Sequence, residues 1–151
     1  MSGATSQRGC RAVVRYLSAQ VEEATGCRRC TTIGAGGYEL TAEAMFGRLT
    51  NFDVFLLEYD DERSGSFEPL AKAPDDKQII LGLVSSKTTT LESVSDVTAR
   101  IYEAAKYTGL ERLGVSTQCG FSSTLPGANL TTEDTEEQKL ELVAEVAHTV
   151  W

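Results

Sequence analysis

The sequence predicts an α/β fold, a partial β/α (TIM) barrel of three or four strand-helix units with parallel strands. Short apolar runs begin near residues 53, 79 and 112, at intervals of 26 and 33, the length needed for a strand, a crossover helix and a return. Amphipathic helical spacing fills the later intervals, and each run ends on a polar or reactive side chain. A closed eight-unit barrel takes roughly 250 residues, so a chain of 151 is expected to supply only part of one. A small open sheet with helices on both faces, of the flavodoxin-like class, explains the same periodicity. The final VAHTVW reads equally as a natural terminus or a cut edge.

The elements follow in order. Arg11 to Ala24 carries Val13, Val14, Leu17 and Val21 at helical spacing, and Gly26 ends it. Thr31, Thr32 and Ile33 make a weak strand candidate, so residues 1–34 are expected to form a divergent helix and weak strand ahead of the barrel portion, 35–151. A second helix is expected from Glu39 to Leu49, with Leu40, Ala44, Met45 and Leu49 as its apolar side. Asp53 to Glu58 is a nearly continuous apolar run, expected of a strand covered on both faces. The acidic YDDERSGSFEP that follows reads as a loop. Ile79 to Val84 repeats the strand form, then changes abruptly to SSKTTT. A helix from Ser93 to Tyr107 presents Val94, Val97, Ile101, Ala104 and Ala105 on one side, with Ser93 or Ser95 as its cap. Leu113 to Ser116 is the third strand and runs into Gln118-Cys119-Gly120. The last helix starts at Thr131 or Thr132, with Leu140, Val143, Ala147 and Val150 facing one way.

Composition narrows the function classes. A formal charge of -8 repels phosphate backbones and acidic membrane surfaces, so nucleic acid is not an expected partner. No apolar run approaches the roughly 20 residues needed to span a bilayer, and no signal-like segment follows the polar start. A cytoplasmic chain is the expectation. Four cysteines, at 10, 27, 30 and 119, are too few and too scattered for a disulfide scaffold.

In a parallel β/α fold, chemistry collects beyond the carboxyl ends of the strands. Glu58 ends the first run there; Ser85, Ser86 and Lys87 follow the second; Gln118 and Cys119 follow the third. Cysteine sulfur and glutamate oxygen suit Zn²⁺, which keeps a bound thiol ionised near neutral pH. Lys87 is suited to orienting an anionic substrate group, and Ser85 and Ser86 to hydrogen-bonding it, although short polar residues after a strand are ordinary loop chemistry. A buried, inert thiol is the alternative for Cys119. Cys27-Arg28-Arg29-Cys30 is a CxxC whose arginines favour thiolate; a redox or metal-handling role is one alternative function, but a redox motif would follow a strand and open a helix. His148 has no acid or base partner in sequence and reads as a structural or surface residue. Asp60, Asp61 and Glu62 read as a solvated loop. Gly34, Gly36 and Gly37 do not have the spacing of a dinucleotide fingerprint.

Four stretches, AGGYELTAEAMF (35–46), FLLEYDDERSGSFEPL (55–70), LGLVSSKTTTLES (81–93) and GVSTQCGFSST (114–124), together with the closing EEQKLELVAEVAHTVW, resemble the cobalamin-independent methionine synthase family, in particular its shorter, single-barrel members. The resemblance implies a β/α barrel related to uroporphyrinogen decarboxylase, of which this chain is the C-terminal portion. It also implies a zinc ion held by His, Cys, Glu and a second Cys, on which homocysteine thiolate attacks the methyl group of a methyltetrahydrofolate. Glu58 resembles the glutamate ligand and Cys119 the later cysteine. Cys27 with Arg28 resembles the earlier cysteine, which puts Thr25 where the histidine would stand. The implied partners are a thiol substrate and a folate methyl donor, with a second copy or another chain completing the barrel. A truncated, noncatalytic relative with a binding or assembly role is the alternative.

Overall fold

The computed structural model describes residues 36–121 and 132–151. The first expected helix, the weak strand at 31–33, Thr25 and the Cys27–Cys30 pair lie outside them. The described residues form helix α1 (Ala42–Arg48), strand β1 (Val54–Glu58), strand β2 (Gln78–Val84), helix α2 (Val94–Ala104), strand β3 (Leu113–Thr117) and helix α3 (Glu133–Val150). Short 3₁₀ turns precede α1 and β3, and two more fill the β1–β2 connection. The sheet order is β1-β2-β3, all parallel, so every strand delivers its carboxyl end to the same rim.

Alternation along the strands divides the sheet into two faces. Phe55 and Leu57 of β1, Ile79, Leu81 and Leu83 of β2, and Leu113 of β3 are buried on the face covered by helices. No helix among the described residues covers the other face. Leu56 is 41% exposed and Glu58 is exposed, which corrects the expectation that β1 is covered on both faces. The run VFLL looks doubly buried because both of its faces are apolar, yet the described residues cover only one.

Each helix is fixed by local chemistry. The Ser93 hydroxyl accepts the Asp96 N–H at 3.1 Å, capping α2, whose Val97, Ile101 and Ala104 are buried as their spacing predicts. The Thr132 hydroxyl accepts the Thr135 N–H, and Glu133, Asp134 and Glu136 complement the positive end of α3. The buried face of α3 is Lys139, Leu142 and Val146, whereas Leu140 is 55% exposed. The buried face of α1 is Ala42 and Phe46 rather than Leu40, which is 96% exposed before the helix begins. Phe46 packs edge-on against Phe55 at 5.0 Å between ring centres, a favourable aromatic geometry that sets the register of α1 on β1.

The rim opposite the strand carboxyl ends is closed by Arg112. Its guanidinium donates to the Lys77 carbonyl at 3.0 Å, to the Ala73 and Pro74 carbonyls, and to Asp75 at 3.1 Å. Trp151 donates from Nε1 to the Leu110 carbonyl, placing the end of α3 beside the start of β3. His148 lies in this last turn, exposed, with Nδ1 2.8 Å from the Ala144 carbonyl, at the end of the sheet remote from Cys119. Its exposure places it on the surface, within the structural or surface role expected of it.

Candidate metal and substrate site at the strand rim

The carboxyl ends of the three strands carry the expected groups. Glu58 closes β1 on the open face, in register with Gly82 of β2, which pairs in turn with Ser116 of β3. Beyond Gly82 the pairing shifts, and Val84 faces Thr117. This bulge turns the end of β3 across the sheet. A Cβ on Gly82 would lie 2.9 Å from the Gln118 Cα and 3.3 Å from the Leu57 and Thr117 carbonyl oxygens. The backbone leading into Cys119 therefore occupies the space a side chain would take on the strand beside Glu58. Cys119 is half-buried with a free thiol.

Backbone contacts pin Glu58 itself. The Glu58 N–H donates to the Tyr38 phenol oxygen at 2.9 Å, and the phenol donates back to the Glu58 carbonyl at 3.4 Å. Burial is the main cause that pushes the Tyr38 hydroxyl up to about 12, so it holds its proton throughout the ordinary pH range. Tyr38 stacks beside Tyr59, and Tyr59 beside Phe67. Gly36 donates to the Arg63 carbonyl, and Gly65 adopts φ +73 where a Cβ would meet the Gly37 Cα at 2.8 Å. The GGYE and DDERSG stretches are thus packed against each other, and glycine is needed at 65 for that approach.

The loops after successive strands are linked pairwise. Lys87 Nζ lies 3.1 Å from both carboxylate oxygens of Asp60, whose side chain is 3% exposed. Ser86, 2% exposed, donates from Oγ to Gln118 Oε1 at 3.1 Å. The Ser85 hydroxyl accepts the Lys87 N–H, and the Ser85 N–H donates to Glu92 Oε1 at 2.8 Å. Glu92 Oε2 meets the fully buried ammonium of Lys139, which also donates to the Thr90 carbonyl at 2.6 Å. Asp61 accepts from Arg63; burial works to raise its pKa, and the Arg63 hydrogen bonds and charge overcome it, leaving the carboxyl below its ordinary value.

Asp60 is therefore no solvated loop residue, and Lys87 is committed to it. Reading the sequence alone misses Glu92 and Lys139 and the partners of Asp60 and Gln118, because these roles depend on side-by-side loops. Among the described residues no three of His, Cys, Asp and Glu gather closely enough to hold a metal ion. Glu58 and Cys119 suit zinc in kind, carboxylate and thiolate, but two donors fall short of the three that a catalytic zinc takes.

Residues 39–148 match the family model of the cobalamin-independent synthase catalytic domain. The chain belongs to the cobalamin-independent methionine synthase family. It is 47% identical over 124 residues to the uncharacterized protein YxjH of Bacillus subtilis strain 168, covering 82% of this chain and 32% of that protein. Similarity to YxjG of the same organism is 48% over 122 residues, with 80% and 32% covered. The chain thus spans about a third of the length of the curated relatives it matches. Among solved structures, the putative vitamin-B12 independent methionine synthase of Listeria monocytogenes is 34% identical with a TM-score of 0.53, over 77% of this chain and 32% of that one. The B12-independent methionine synthase of Shewanella sp. W3-18-1, in complex with selenomethionine, has a TM-score of 0.62 at 21% identity, over 75% and 30%; at that identity it speaks for the fold alone. The synthase barrel is thus the frame for this parallel sheet, ahead of the flavodoxin-like alternative. No helix among the described residues is long and apolar enough to cross a membrane.

Proposed function

We propose that this chain supplies one wall of a zinc-dependent methyl-transfer site, acting on a methyltetrahydrofolate and homocysteine or a related thiol. One observation carries the reading: Glu58 and the turn into Cys119 come from the carboxyl ends of strands in one parallel sheet, with Gly82 leaving room for that turn. Cys27 is the third donor in this reading, and Thr25 stands where the family has a histidine. Bound zinc would supply the charge that keeps the substrate thiol ionised near neutral pH. In the transfer, a sulfur–carbon bond forms to the methyl group as its carbon–nitrogen bond breaks. The nitrogen keeps the bonding pair and then takes a proton. Lys87, held by Asp60, is placed at the rim where its remaining N–H directions can meet an anionic substrate group, and Ser85 orders the backbone beneath it.

The open face of the sheet, with Leu56 part-exposed, motivates the second half of the proposal: another copy or a separate polypeptide completes the barrel. The test is zinc content and mass in solution of the full-length chain. Stoichiometric zinc that is lost in the Glu58→Ala/Cys119→Ala double variant supports the reading. Zinc content indifferent to that double substitution refutes it. A noncatalytic relative is the second reading, favoured by the presence of only two donors among the described residues. Methyl transfer to a thiol above a Glu58→Ala control would count against it.

A further inference from the structure

Residues of β2 and of the loop after it converge on the one residue that precedes Cys119. The Gln118 N–H donates to the Val84 carbonyl at 2.7 Å, a short link past the bulge. The Gln118 Cα sits in the space left by Gly82. The Gln118 side-chain carbonyl accepts from the hydroxyl of Ser86, a residue almost wholly buried. Backbone, packing and side chain of residue 118 are therefore all fixed from β2 and the loop after it. Gly82 is the register partner of Glu58, and adjacent strands lie about 4.8 Å apart. Whatever fixes Gln118 over Gly82 also fixes where the Cys119 turn stands relative to Glu58.

We propose that Ser86 is a positioning residue: through Gln118 it holds the Cys119 turn over Gly82, so that Cys119 and Glu58 can share one divalent cation. This rests on the reading of Glu58 and Cys119 as co-ligands. Ser86 touches neither metal nor substrate in this role. Its hydroxyl is buried and satisfied by a single partner, so its removal loosens one side chain with little effect on the apolar core. Groups that orient metal ligands from behind commonly change affinity by about 10–100-fold when removed. An indirect link through a neighbouring residue belongs at the lower end of that range.

The experiment uses the full-length chain and Co²⁺ alone as probe, read by the thiolate-to-cobalt charge-transfer band and by competition with a chelator. Site-resolved alkylation of Cys119 by a maleimide, measured by peptide mass in metal-free protein, runs beside it. Ser86→Ala is expected to weaken Co²⁺ binding about ten-fold, to shift the band, and to speed alkylation of Cys119. Ser86→Thr, which keeps the hydroxyl, is expected to restore both. A Cys119→Ser control should weaken the band to what Cys27, the other thiolate of the proposed set, contributes. Unchanged cobalt affinity, band and alkylation rate in Ser86→Ala would overturn the positioning role. If the wild-type chain shows no band while Ser86→Ala still speeds alkylation, the turn is positioned by Ser86 and the shared-cation reading is the part that fails. Loss of affinity in Ser86→Ala and Ser86→Thr alike would show that the hydroxyl is not what matters, and would also overturn the proposal.

Discussion

Lys139 and Glu92 offer the sharpest energetic test of how helix α3 is tied to the rim. The Lys139 side chain is 0% exposed and that of Glu92 is 24% exposed, so the two halves of the pair are not equivalent. Glu92→Gln leaves a fully buried ammonium with only the Thr90 carbonyl and turns an amide toward it. Stranding one partner of a buried pair costs about 3–5 kcal/mol. Lys139→Met keeps the length of the side chain and leaves a carboxylate that still accepts the Ser85 N–H and can reach water, so about 1–3 kcal/mol is expected. The double variant removes both charges and should be more stable than Glu92→Gln alone. Urea unfolding of the full-length chain reads all three, with the slope checked for constancy. A Glu92→Gln cost equal to or below that of Lys139→Met would refute the asymmetry. So would a coupling energy below about 0.5 kcal/mol, the range expected of independent sites.

Three further outcomes follow from the geometry. Lys87→Met should destabilise by about 3–5 kcal/mol, because it strands the buried Asp60 carboxylate; adding Asp60→Asn should recover part of this in thermal unfolding, and a Lys87→Met chain of unchanged stability would show that the pair does not hold the loops. Gly82→Ala should cost about 1–3 kcal/mol, since its Cβ would meet backbone at Gln118, whereas Gly114→Ala meets only the Ile80 Cδ1 atom at 2.6 Å, a mobile methyl, and should stay within about 0.5 kcal/mol; equal costs would remove the argument for close approach at Gly82. Tyr38 ionises near 10 when unfolded and near 12 when folded, so its contribution is complete below about pH 10 and is lost as pH rises toward 12. Tyr38→Phe should flatten the fall in stability over that interval, and identical slopes in wild type and variant would refute the assignment.

The order of elements was legible because short apolar runs bounded by loop residues survive without tertiary information. The faces were less so. VFLL is apolar on both sides, and only the neighbouring helices decide that Phe55 and Leu57 are inside while Leu56 is part-exposed. In EEQKLELV the charge pattern looks like a solvated surface, yet Lys139 takes the place of an apolar residue three before Leu142 and seven before Val146. Its burial depends on Glu92 and the Thr90 carbonyl, nearly fifty residues away. Glu58 and Cys119 could be picked out because strand ends are readable from sequence. The Asp60–Lys87 and Ser86–Gln118 links could not, since each joins loops about one β/α unit apart and depends on lateral spacing.

The open face has its own gradient, and that gradient bears on what the face is for. Its middle row, Leu56, Ile80 and Gly114, is bulky and apolar, with the Ile80 methyl filling the room left by Gly114. The row nearest the rim, Glu58, Gly82 and Ser116, carries a carboxylate and a hydroxyl on either side of a glycine, and there the room left by Gly82 is taken by backbone. An apolar row packs against whatever completes a core; a polar row with backbone drawn in beside it favours ordered ligands. The two rows lie only two residues apart along each strand, so covering the first and leaving the second accessible requires a cover that stops between them. In a parallel barrel the carboxyl ends of the strands meet that condition, because packed side chains fill the interior while the mouth remains open. Loops laced by Asp60–Lys87 and Ser86–Gln118 then keep this mouth in shape without help from the apolar row below it.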